Sequence, residues 1–179
     1  MTRPLIFALT VALAPSLGWA IGFDEDEPPT PTETTTVCKD GQIYDEETES
    51  CVDPQSGALD DDTLYDAVRE FAYAGQLTHA QTALAAMSNQ HDDRVLTYWG
   101  FTHRKRGDMA TGMAYYEQAL ARNPNNFLAR SYMGQAFVDM GAVDRAEAQL
   151  DEIDARGGAG TWAATALATA INTGLTTNY

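Results

Sequence analysis

Residues 93–126 read DRVLTYWGFTHRKRGDMATGMAYYEQALARNPNN, and the spacing of their large, small and turn residues decides the fold. Leu96, Trp99, Gly100, Gly107, Gly112, Tyr116, Ala119 and Pro124 stand at intervals that suit two helices folded back on each other. Gly100 presents no side chain where a second helix would cross the first, and Gly112 serves the same contact from the other side. Gly107 stands where the first helix must stop, in the left-handed conformation that glycine adopts most readily. Pro124 ends the second helix, because it has no N–H to donate and its ring blocks the preceding turn. Trp99 and Tyr116 fall at large-residue positions and are expected in the core.

The same marks recur on both sides. Gly141 with Ala146 repeats Gly107 with Gly112 at 34 residues, while Gly75 with Ala80 precedes it by 32, a difference that a two-residue deletion between helices accounts for. The following unit matches at Met133, Gly134, Phe137, Gly141, Ala146 and Leu150 and lacks only the closing proline. The preceding unit matches at Leu64, Phe71, Gly75, Ala80 and Leu84, with Val68 in place of the small residue. This period and these marks resemble the tetratricopeptide repeat family over residues 61–156, as three units at 61–92, 93–126 and 127–156. The resemblance implies an all-α solenoid of stacked helical hairpins, since a lone hairpin cannot bury its apolar face and neighbours must share a continuous core. It also implies a protein-binding scaffold with no particular chemistry. Helices are expected near 64–74, 77–88, 93–106, 109–122, 127–140 and 143–156.

After the break Gly157-Gly158-Ala159-Gly160, Thr161 is placed to cap a seventh helix. Trp162, Leu167 and Ile171 on it would cover the open end of the solenoid, so residues 157–179 form a C-terminal capping helix and a fraying tail.

Upstream of the repeats the composition changes. Residues 1–20 carry one charge, Arg3, then an apolar run broken by Pro15 and the triplet Gly18-Trp19-Ala20, which predicts a signal peptide cleaved after Ala20 and a periplasmic or secreted product. A membrane would be met only through an uncleaved signal sequence. Cys38 and Cys51, the only two cysteines, are expected to pair in an oxidising compartment and to staple a small loop within 38–60. Neither falls at a repeat position, so the helical fold is not expected to need the bond.

The net charge of -15 is unevenly spread. Residues 21–62 hold 14 acids and one base, whereas residues 63–179 hold 12 acids and 9 bases. The acidic, Pro- and Thr-rich arm at 21–37 cannot bury a core and reads as disordered. Such a charge distribution disfavours nucleic acid as a partner.

Family geometry aims particular first-helix positions at the concave face. These are Tyr65, Arg69 and Tyr73 in the first unit, then Arg94, Thr97, Phe101, Arg104 and Lys105 in the second, and Ser131 and Gln135 in the third. Their aromatic and basic content suits a protein or extended peptide with acidic groups or a free carboxylate. The acidic run Asp24 to Glu27 could dock against Arg69, Arg94, Arg104 and Lys105 until a partner competes.

Enzymatic readings lack an inventory, and no catalytic residue, metal site or cofactor is assigned. His79, His91 and His103 lie in different elements without a second ligand at helical spacing. His91-Asp92-Asp93 reads as a helix cap, and His103 as a packed residue. Two alternatives are a self-associating structural protein, hence a homo-oligomer, and a small metal- or glycan-binding protein using the Cys38-Cys51 loop.

Overall fold

The computed structural model describes residues 28–177. Three helical hairpins follow one another: α2 (Asp61–Tyr73) with α3 (Leu77–Ala86), α4 (Asp93–Lys105) with α5 (Met109–Arg122), and α6 (Phe127–Asp139) with α7 (Val143–Ala155). A further helix, α8 (Trp162–Thr173), closes the series. Expected and observed bounds agree within three residues, because the local signals are strong. Asp60, Asp92, Asp108, Asn126 and Thr161 each cap a helix start by accepting a backbone N–H. Asp92, not His91, supplies the cap in the His91-Asp92-Asp93 stretch. Gly75, Gly107 and Gly141 turn the hairpins at φ 74°, 89° and 73°.

The hairpins stack so that α2, α4, α6 and α8 form one row and α3, α5 and α7 cover it. Within the second hairpin a Cβ on Gly100 would stand 2.5 Å from Cε1 of Tyr116 and 3.0 Å from the carbonyl oxygen of Gly112, so the helices touch through bare backbone. Gly134 behaves differently from its counterpart: the space beside it is filled by Leu167 of α8, with Cδ1 2.6 Å from where a Cβ would lie. Thus α8 does more than shield an apolar end. It packs on α6 and α7 as the first helix of a further unit would, burying Ala163, Ala164, Ala166, Leu167 and Ala170.

Tyr116 is fully buried, as expected, but Trp99 is not. Its ring is half-buried against Tyr115 at 6.1 Å and donates from Nε1 to Oε1 of Gln90 at 3.3 Å. His103 lies in the same surface stack, beside Tyr115 and Trp99, with Nδ1 3.5 Å from Oδ2 of Asp108.

The N-terminal end of the stack has a different cover. Strands β1 (Ile43–Asp45) and β2 (Ser50–Val52) pair antiparallel, with Tyr44 opposite Cys51, and Cys38 and Cys51 form a disulfide. The sequence separates this stapled loop from the helical body, yet the structure packs it on: Ile43 is 1% exposed and joins the main core with Leu64 and Phe71. A Cβ on Gly41 would stand 2.8 Å from His79 of α3. A short turn, α1 (Glu33–Thr36), precedes the hairpin and lies on α2. Glu70 of α2 is buried beneath it and accepts from the Thr32 N–H at 2.8 Å, the Thr32 hydroxyl at 2.7 Å, the Thr35 N–H at 3.2 Å and the Thr35 hydroxyl. The arm expected to be disordered over 21–37 is therefore docked from Thr32 onward. The buried carboxylate supplies the polar contacts that its composition cannot obtain from a core. The expected signal peptide at 1–20 and the acidic run Asp24 to Glu27 lie outside the described residues. Among the described residues no helix is long and apolar enough to cross a membrane.

Candidate partner-binding groove

The row α2–α4–α6–α8 brings the anticipated groove residues together, but buries most of them. Tyr65, Thr97, Phe101, Arg104, Ser131 and Gln135 are each under 5% exposed, and Arg69 reaches only 9%. Arg94 and Lys105 remain half-buried, and Tyr73 is 43% exposed. The cause is aromatic packing along the row. Tyr65 meets Tyr98 edge-on at 5.6 Å, Tyr98 meets Tyr132 at 6.2 Å, and Tyr132 meets Trp162 at 6.5 Å, one ring from each successive inner helix. Such edge-to-face contacts suit the ring quadrupoles and hold neighbouring units in register. Tyr98 and Tyr132 stand one residue after Thr97 and Ser131. The sequence reading passed over them because it followed the positions aimed at the groove and not those that join the units.

The basic side chains of this face are already engaged. Arg94 lies over the Tyr65 ring at 4.8 Å and pairs with Asp92 at 3.3 Å and Asp62 at 3.8 Å. Arg104, 4% exposed, reaches Oδ2 of Asp139 on α6 at 3.0 Å, a pair that ties the second unit to the third. Arg69 has Asp66 at 3.9 Å. Lys105 lies 5.9 Å from the Phe101 ring centre, and burial, reinforced by Arg104 and opposed by Asp139, lowers its pKa. The expected surplus of cationic charge thus shrinks to the exposed parts of Arg94 and Lys105.

The chain after α8 turns back across this face. Gly174 reverses it at φ 72°, and Leu175 to Thr177 run over α6 toward α4. Oε1 of Gln135 accepts both the Thr177 N–H at 3.0 Å and the Thr177 hydroxyl at 3.1 Å. The Thr176 hydroxyl donates to Oδ1 of Asp139 at 3.0 Å, and Nζ of Lys105 donates to the Thr177 carbonyl at 3.0 Å. Gln135 is held from behind by its own Nε2–H to Ser131 at 3.4 Å. The expectation that the tail frays is corrected for Thr176 and Thr177, which the side chains of Gln135, Asp139 and Lys105 hold, while Leu175 stays exposed. Nothing local in Leu-Thr-Thr announces such a contact, since its partners lie 37 to 72 residues away.

A cleft of about 260 Å³ opens beside Arg94, between Asp93, Asn126, Phe127, Leu128 and Ala163. Asn126 stiffens its wall. Its side-chain amide donates to Asp93 at 2.7 Å and Thr97 at 3.0 Å, while its oxygen caps α6 through the Ala129 N–H at 2.7 Å. A second cleft, of about 440 Å³, lies between α1, β1 and α2 and is lined by Glu33, Asp45, Glu46, Asp60, Asp66 and Glu70 without a basic residue. Among the described residues, no group of three or more His, Cys, Asp or Glu side chains is placed to hold a metal ion.

Residues 103–168 match the tetratricopeptide repeat family model. The match starts inside α4, takes in the third hairpin and ends within α8, in accord with the packing of α8 as one more repeat helix. Repeats of this family are protein-interaction modules and are in general not catalytic. No curated protein and no solved structure matches the chain.

Proposed function

We propose that this protein is a non-enzymatic, exported scaffold that binds a protein partner, as an extended segment, along the inner face of its tetratricopeptide repeats. The observation that carries the reading is the seating of Thr176 and Thr177. Gln135 and Lys105 engage the main-chain N–H and carbonyl of Thr177, so the face accepts a peptide backbone irrespective of most of its side chains. Arg94, lying over Tyr65, extends the same surface toward the first unit, and the cleft beside it, between the starts of α4, α6 and α8, leaves room for a partner side chain. Export is supported by the apolar N-terminal stretch ending at Ala20 and by the Cys38–Cys51 disulfide. Placement in a bacterial periplasm and a part in envelope assembly, secretion or maturation extend this reading.

The test is a crosslinking capture of partners by the intact chain. Wild type is compared with Arg94→Glu on the inner face and with Glu117→Ala on the exposed side of α5. Capture is expected to fall with the first and to persist with the second. Equal capture by all three would place binding elsewhere.

A further inference from the structure

The hydrogen bonds at 175–177 do two separate things. The Lys105 and Gln135 contacts hold the carbonyl and N–H of the Thr177 backbone, whereas the Thr176 and Thr177 hydroxyls meet Asp139 and Gln135, acceptors held in place by Arg104 and Ser131. Asp139 divides its two oxygens between the Arg104 guanidinium and the Thr176 hydroxyl, both donors, so it receives a donor hydroxyl and repels a second carboxylate. A partner's acidic side chain would be rejected at this point, and a serine or threonine hydroxyl accepted.

We propose that the α4–α6 part of the groove selects an extended peptide segment bearing consecutive hydroxyl side chains, and that the chain's own Thr176-Thr177 occupies this site in cis, so that an outside segment binds only in competition with it. This rests on the groove reading above and refines it from any extended segment to a hydroxyl-bearing one. Gly174 makes the arrangement possible: its left-handed conformation directs the chain from the end of α8 back over α6 with no intervening loop. So short a connection gives a local concentration of about millimolar or more. A segment of the same chemistry with an intrinsic Kd of about 100 μM would then be held off by roughly tenfold.

The experiment uses a fluorescent peptide of residues 173–179 as the probe and measures its anisotropy with three full-length chains. Thr177→Pro removes two of the four hydrogen bonds, those that Gln135 accepts from the Thr177 N–H and hydroxyl, and so loosens the cis occupant without touching the groove. The probe is expected to bind this variant about tenfold or more tighter than it binds wild type. Adding Lys105→Ala to Thr177→Pro should lose most of that gain. A probe with valine for both threonines should bind the Thr177→Pro chain at least tenfold more weakly than the native probe does. Equal binding to wild type and Thr177→Pro, or indifference to the threonines, overturns the proposal. Should Thr177→Pro perturb the fold, hydrogen exchange of the Thr177 amide in the unmodified chain decides instead: protection of tenfold or more is expected, and exchange at the rate of an unstructured peptide overturns it. Partner capture that depends on Arg94 but is unchanged by Thr177→Pro would refute the cis competitor while leaving the groove reading intact.

Discussion

The two ends of the repeat stack solve the same problem with opposite chemistry. At the C-terminal end α8 continues the pattern of the body, a helix of alanines with Leu167 filling the notch beside Gly134, and it carries no ionisable side chain. At the N-terminal end a stapled hairpin and a threonine turn cover α2, fixed by a disulfide, by the apolar plug Ile43 and by the buried carboxylate of Glu70. A solenoid exposes its core wherever the repeats stop, and any cover must match what it covers. A cover that copies the repeat inherits the repeat's packing and needs nothing further. One built from another motif must bring its own staple and polar clasp, and becomes sensitive to redox state.

The comparison is broken most directly at the apolar end. Leu167→Ala empties a fully buried site between α6 and α8 and is expected to cost about 2 to 5 kcal/mol. The melting midpoint should fall by roughly 10 °C or more. A midpoint within a few degrees of wild type would mean that α8 only rests against the stack.

At the other end, Cys38→Ser with Cys51→Ser opens a closure with a sequence separation of 13, worth about 3 kcal/mol in the chain-entropy model. From the sequence this change looks harmless to the helices, since neither cysteine lies in a repeat. Ile43 in the core alters that expectation. Hydrogen exchange should accelerate in the hairpin, α2 and α3 while α6 to α8 keep their protection, because each unit of a solenoid leans only on its neighbours. Uniform exchange before and after would show that the hairpin is energetically detached.

The fold was legible where the physics is local and periodic. Gly100, Gly107 and Pro124 each state a backbone requirement that few other residues meet, so one unit could be read and then transferred by period to its neighbours. Gly134 shows the limit. Its smallness was readable, but whether the crossing partner came from α7 or α8 depends on a side chain 33 residues on. The groove was legible as a set of positions and not as a surface. Thr97, Phe101 and Ser131 were placed on the inner row but are buried there, because the bulky Tyr98 and Tyr132 beside them close the gaps between units. Glu70 could not be read at all, since a glutamate in mid-helix looks like any solvated charge until the chain that covers it is known.

That glutamate gives a smaller test of the polar cover. Glu70→Ala leaves the donors of Thr32 and Thr35 without their acceptor and is expected to cost about 1 to 3 kcal/mol. Glu70→Gln, which keeps an acceptor oxygen, should cost less. The readout is proteolysis near residues 28–37, accelerated in Glu70→Ala. Cleavage at the wild-type rate would show that the turn is held by something other than this carboxylate.

The smallest effect is set by pH, and it separates the ends without a mutation. Asp60 and Asp61 at the start of α2 have lowered pKa values, Asp60 through hydrogen bonds from Thr63 and Asp61 through hydrogen bonds from Ser88. A carboxylate bound more tightly in the fold than in the unfolded chain stabilises fully above its unfolded pKa of about 3.9 and loses that contribution as pH falls through its lower folded value. Asp66, one turn further on, works in the opposite sense. Burial raises its pKa, so its charge is a penalty near neutrality that protonation relieves first on acidification. Exchange protection of α2 should therefore hold or rise slightly as pH is lowered toward about 4 and then fall, once exchange is corrected for its intrinsic pH dependence. Protection of α8, which carries no ionisable side chain, should follow only later, with the global loss of stability. Asp66→Asn should abolish the early gain, and Asp60→Asn should flatten the subsequent fall. A loss that sets in together at both ends, or one already under way above pH 5, would show that acid acts on the stack as a whole and that the two covers do not differ in the way their chemistry requires.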